Sequence, residues 1–257
     1  MSMIPEHLRV VADNVVAEAE RDPRVLAVLA GGSVATGTSD EYSDLDLVLV
    51  CTAEGQPACL AEAKEFAGRV GPLLTSFTGE HVGEPRLLIA LYGPPLLHVD
   101  LKFVTPDGLR TRVEDGVVLW QRDGTVDRIR QESAAAWPQP DPQWIEDRFW
   151  CWVHYTAVKI ARGELFEAIG ALDALRSAAI APLATLGRTA RPAGVRRFET
   201  LAPDLVPQLR ATLADADPED CLRALRAAVD VYRKVREGVE VVRRTAAEEA
   251  VVDFLGH

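Results

Sequence analysis

The sequence predicts an α/β (α+β) fold: an N-terminal mixed-sheet domain over residues 1–136, then a C-terminal helical bundle domain over residues 143–257. Three observations carry this. Every strand-like apolar run lies before residue 122. Residues 136–142 hold three prolines in seven positions, a composition that suits a linker. Beyond them Ala, Leu, Arg and Glu dominate at helical spacing. At 48% hydrophobic and 26% charged, the 257 residues can bury sizeable cores without disulfide or metal staples.

The elements follow in order. Residues 5–20 predict a helix with Pro5 in its first turn and an apolar stripe of Leu8, Val11, Val15 and Ala19. Residues 24–30 form an unalternating apolar run, which fits a buried strand. Gly31 and Gly32 break it, and a short helix begins at Ser33. A second buried strand spans 45–51 and a helix spans 56–69. Three more strands follow at 73–78, 86–92 and 96–104, with a Gly93-Pro94-Pro95 turn between the last two. A short strand from Val117 to Gln121 completes the first half. In the second half, helices are expected at 143–161, 164–186, 203–213, 218–240 and 245–255. The first of these carries a core-facing stripe of Ile145, Phe149, Trp152, Val153, Thr156 and Ile160.

Charge and composition exclude several roles. The formal charge of −11 repels phosphate backbones, so nucleic acid is not the expected partner, and a small cationic molecule suits the surface better. No run of 18 apolar residues is present, so no membrane span is expected. The N-terminal residues 1–7 lack the basic stretch and apolar run of a secretory signal. Cys51, Cys59, Cys151 and Cys221 have no CxxC spacing, which suggests free thiols rather than a zinc knuckle or redox motif. The expected compartment is the reducing cytoplasm.

Three groups of residues carry chemistry. The first is Gly32-Ser33 at a strand-to-helix turn. A glycine lets a phosphate approach the backbone, exposed N–H groups attract the anion, and a serine hydroxyl adds a hydrogen bond. The second is Asp44 and Asp46, two apart where a strand begins, so that both carboxylates share one face while Leu45 and Leu47 take the other. Two such charges held close together call for a cation between them, and Mg²⁺ is the hard, oxygen-seeking candidate. The third is Asp100, which shares a strand face with His98 and Lys102 while Val99, Leu101 and Phe103 take the other. A third acid beside such a pair can hold a second metal or take a proton from an attacking hydroxyl.

Gly32-Ser33, the step to Ser43-Asp44-Leu45-Asp46-Leu47, and the later strand aspartate together resemble the DNA-polymerase-β-type nucleotidyltransferase superfamily. The resemblance is closest to its aminoglycoside and lincosamide nucleotidyltransferases, and it extends to the catalytic half followed by a helical half. It implies two Mg²⁺ ions on Asp44, Asp46 and Asp100, ATP or another NTP as co-substrate, and transfer of a nucleoside monophosphate to a hydroxyl of a small molecule. Ser43 is carried over with the nucleotide-binding motif. On the 143–161 helix, Arg148, Trp152, Tyr155 and Lys159 fall on one stripe, with Lys159 suited to a β- or γ-phosphate and Tyr155 beside it. Glu80, Glu146, Asp147, Glu164 and Glu167 are candidates for an acidic pocket that takes a cationic acceptor. The chain is expected to act as a monomer or a homodimer. Two other readings compete: adenylylation of a protein partner by a toxin–antitoxin-type enzyme, and a nucleotide-binding module without catalysis. The helical half argues against the first, and the complete aspartate set against the second.

Overall fold

The structure is a computed structural model that describes residues 4–256. Residues 1–3, the start of the stretch expected to lack a secretory signal, lie outside the described residues. The chain divides into two compact units, Met1–Ala136 and Trp137–His257.

The first unit is built on a mixed six-stranded sheet, which bears out the α+β expectation. Its strands are β1 (Val25–Ala30), β2 (Leu45–Cys51), β3 (Leu73–Gly79), β4 (Glu84–Tyr92), β5 (Leu97–Val104) and β6 (Val117–Gln121), in the order β3-β4-β5-β2-β1-β6. Among these, β2 and β5 are the parallel neighbours and the other pairings are antiparallel. Period-two alternation assigns the two faces. Leu45, Leu47 and Leu49 of β2 and Val99, Leu101 and Phe103 of β5 are buried in one core, which α1 (Glu6–Arg21), α3 (Gln56–Ala61) and α4 (Ala63–Val70) complete. Val50 and Val104 join a smaller core on the opposite face with Leu109, Val126 and Ile129. Those last three come from α5 (Pro106–Arg110) and α6 (Thr125–Glu132).

The structure corrects several local expectations. Pro5 caps α1 rather than lying within it, and the buried stripe runs through Ala12, with Val11 only partly buried. The expected 56–69 helix is two helices meeting at Glu62, whose carboxylate accepts from Arg24 Nη2 at 2.7 Å. Helices α5 and α6 were not expected. Thr105 and Pro106 are a start signal for α5, with the Thr105 hydroxyl accepting from the Gly108 amide at 3.1 Å.

The second unit is helical: α7 (Pro142–Ala161), α8 (Leu165–Leu175), α9 (Ala181–Thr185), α10 (Phe198–Leu201), α11 (Val206–Ala211), α12 (Pro218–Arg236) and α13 (Thr245–Phe254). The expected 164–186 helix is α8 and α9 joined by a π-helical stretch at Arg176–Ile180. Pro182 follows it without an N–H to give to the preceding turn, a known cause of such widening. Pro203 and Pro207 similarly split the 203–213 expectation into a 3₁₀ turn and α11. The proline-rich segment is tied along this unit: Trp137 Nε1 donates to the Pro192 carbonyl at 2.8 Å. Phe149 of α7 stacks on Tyr232 of α12 with centroids 3.5 Å apart, at the centre of the core. Among the described residues, no helix is long and apolar enough to cross a membrane.

Candidate active site

The parallel pairing of β2 and β5 creates the central feature. Asp46 and Asp100 are direct register partners, so their side chains leave the sheet side by side on one face. That face is the one whose other end Val50 and Val104 pack under α5 and α6. Asp44 immediately precedes β2 and is half-buried. Asp100 shares a 2.8 Å hydrogen bond between its Oδ1 and Nε2 of His98, whose side chain is half exposed. Two residues along β5, Lys102 pairs with Glu84 at 2.8 Å, and Arg86 holds the same carboxylate at 2.7 Å. The Arg86 guanidinium, and after it the Lys102 ammonium, bring the Glu84 carboxyl down to about 2.

The glycine–serine turn lies against Asp46 of this pair. The Gly31 amide donates to the Asp46 carbonyl at 2.9 Å, extending β1 along β2 by one more bond. Gly32 opens α2 (Gly32–Thr36) with φ +54°, a left-handed conformation that favours glycine. A Cβ at Gly32 would stand 1.9 Å from Asp46 Oδ2. Glycine is therefore required twice over, by the backbone and by the neighbouring carboxylate. The helix starts one residue earlier than expected, so Ser33 lies in its first turn and is not its cap. The Ser33 hydroxyl accepts from Ser39 Oγ at 3.1 Å. Ser43 closes a turn on Asp40, donating to Asp40 Oδ1 at 3.0 Å and accepting from the Asp40 amide at 2.8 Å. Sequence reasoning missed Glu114, whose Oε1 accepts from the Gly32 amide at 2.7 Å. It also missed the hydrogen bond between His98 and Asp100, although their shared face was expected.

In the helical unit, Lys159 pairs with Glu164 at 2.5 Å and Tyr155 donates its hydroxyl to Glu167 at 2.6 Å. Each of these pairings is made within that unit. A cavity of about 330 Å³ is lined by Trp152, Tyr155, Thr156 and Glu167, with Ala171 and Ala174 among its small residues. Glu146 does not join an acidic pocket. It is fully buried and accepts from the Tyr232 hydroxyl at 2.5 Å, Arg236 Nη1 at 3.1 Å and the Arg244 amide at 2.9 Å. Burial pushes its carboxyl up, but these donors outweigh burial and hold it below the ordinary carboxylate range. Asp147 is likewise engaged, by Arg244 at 2.6 Å.

The donor chemistry at Asp44, Asp46 and Asp100 suits a hard divalent cation. Among the described residues, no three His, Cys, Asp or Glu side chains are grouped as a metal ion would need. Magnesium commonly takes only one or two carboxylates and completes its shell with water and substrate phosphates, so the paired Asp46 and Asp100 fit it.

A mixed sheet that sets two strand aspartates side by side, one of them against a Gly-Ser turn, is the arrangement the nucleotidyltransferase resemblance led one to expect. The chain belongs to the streptomycin adenylyltransferase family, whose model matches residues 7–250, and it is an enzyme of the adenylyltransferase class. No curated protein matches it. Two solved structures show a distant likeness to this chain. One is a nucleotidyltransferase-like protein from Exiguobacterium sibiricum, 13% identical, with a TM-score of 0.39 over 87% of this chain and 74% of that one. The other is an aminoglycoside 6-adenyltransferase from Bacillus subtilis, 16% identical, with a TM-score of 0.39 over 95% of both chains.

Proposed function

We propose that the chain transfers AMP from ATP, with Mg²⁺, to a hydroxyl group of a small cationic acceptor of the aminoglycoside type. The observation that carries this reading is the side-by-side pair Asp46 and Asp100, with Asp46 beside the Gly32-Ser33 turn, in a chain whose family is named for streptomycin. Asp46 and Asp100, the register partners, are the pair that would hold Mg²⁺, with Asp44 just before β2 as the further carboxylate proposed for it. The metal's contribution when bound is to neutralise charge on the phosphates.

The chain's own groups have distinct tasks. The Ser33 amide and hydroxyl hold the nucleotide's phosphates, while the Gly32 amide is held by Glu114 and keeps the turn in place. Asp100, oriented by His98, takes the proton of the acceptor hydroxyl. The acceptor oxygen then bonds to the α-phosphorus as the bond from that phosphorus to the bridging oxygen breaks, and pyrophosphate leaves with the electron pair. The net charge of −11 supports a cationic acceptor.

The test is pyrophosphate release from ATP and Mg²⁺ on addition of streptomycin, other aminoglycosides or lincomycin. Asp46→Asn and Asp100→Asn should each slow release by about a hundredfold or more. Release that is unchanged in both variants, or labelled ATP that marks only protein in a lysate, would sink the proposal.

A further inference from the structure

We propose that Glu114 is a positioning residue of the nucleotide site: it pins the Gly32 amide and thereby fixes the turn against which Asp46 stands. This rests on the nucleotide-site reading above. Glu114 reaches the turn from 82 residues away and accepts from the Gly32 N–H at 2.7 Å. That N–H belongs to the first turn of a helix and has no partner within it, so an outside acceptor is needed. A carboxylate is a strong one.

The neighbourhood is shaped for this contact. A Cβ at Gly31 would stand 2.8 Å from the same Glu114 Oε1, just as a Cβ at Gly32 would stand 1.9 Å from Asp46 Oδ2. Two consecutive glycines thus each leave room for one carboxylate. A third glycine brings the Glu114 loop in, since a Cβ at Gly116 would meet the Ala30 carbonyl at 2.8 Å. The loop is also fastened from behind. Arg112, whose side chain is only 7% exposed, donates to Ser133 Oγ at 2.8 Å and to the Ser133 carbonyl at 2.7 Å. Arg130 donates to the Gly116 carbonyl. The aim of Glu114 is therefore set by a braced loop. The left-handed Gly32, lacking a side chain of its own, depends on that aim to hold its amide.

The experiment is calorimetric ATP binding in the presence of Mg²⁺, with turnover measured on the same proteins. Glu114→Ala should weaken ATP binding by about tenfold, the loss of one hydrogen bond to a charged group. In turnover the loss should fall on KM for ATP more than on kcat. Glu114→Gln should recover most of it, because its amide oxygen still accepts from Gly32. Gly31→Ala, which displaces Glu114 from the other side, should reproduce the loss, and the double variant should be no worse than either single one. An E114Q protein as weak as E114A would overturn the positioning role, since the charge would then act directly. Wild-type affinity in E114A would overturn it as well. A wild-type protein that binds no ATP would instead overturn the nucleotide reading itself.

Discussion

Replacing Gly32 with alanine separates the backbone's demand from the site's. At φ +54° the left-handed region costs an L-residue about 1 kcal/mol. For a chain of this size that lowers Tm by about 2–4 °C. The added Cβ would also stand 1.9 Å from Asp46 Oδ2, so the carboxylate or the turn must give way by about 1 Å. A displacement of that size at reacting groups costs about a hundredfold in rate. Gly37 provides the matched control. Its φ is +66° at the end of α2, yet nothing lies within 4 Å of a Cβ built there. Gly37→Ala should therefore lose the same few degrees of Tm while keeping most of its turnover. Thermal melts and pyrophosphate release on both variants, side by side, make the comparison. Equal losses of activity in the two would show that the proximity of Gly32 to Asp46 has no catalytic meaning.

Three further outcomes are expected. Glu146→Gln removes the charge that faces Arg236 in the helical core and should cost about 3 kcal/mol in denaturant unfolding, with the far-UV spectrum of the native protein retained. Glu84 has a carboxyl lowered from 4.5 to about 2, chiefly by Arg86, so it stabilises the folded sheet above the ordinary carboxylate range. That contribution, about 2 kcal/mol after solvent screening, is lost as pH falls from 4.5 towards 2, and Glu84→Gln should flatten the acid limb of the stability curve across that window. Excess EDTA should abolish pyrophosphate release and added Mg²⁺ should restore it; turnover that persists in EDTA would contradict the metal assignment.

The fold was legible where periodicity is strong. The alternation of Leu45 and Leu47 against Asp44 and Asp46 assigned both faces of β2, and the same reading of Val99 to Phe103 assigned β5. The family could be read from Gly32-Ser33 and the spaced aspartates, and the match over residues 7–250 bears it out. Short elements escaped because three or four residues of pattern compete poorly with turn signals. The helix at Pro106 was announced by Thr105 and missed, while proline at 203 and 207 broke a helix that composition alone favoured. Glu114 could not have been found in this way. It lies in an irregular segment with no period, and its meaning depends on a contact 82 residues distant. Glu146 misled for the opposite reason: a glutamate on a helix reads as surface, and only Tyr232 and Arg236, far along the chain, allow its burial.

The parallel pairing of β2 with β5 has a consequence for how the chain reaches its folded state. Asp46 and Asp100 alternate with leucines and valines that fill a dry core. If β5 slid by one residue against β2 during assembly, Asp100 would turn into that core and Leu101 would turn out to water. Burying an unpaired carboxylate there costs several kcal/mol, enough to expel the misaligned strand. The two acids therefore proofread the sheet. An asparagine at either position would weaken that check as well as the chemistry, so variants made to silence the enzyme should also refold with more misaligned or aggregated chains.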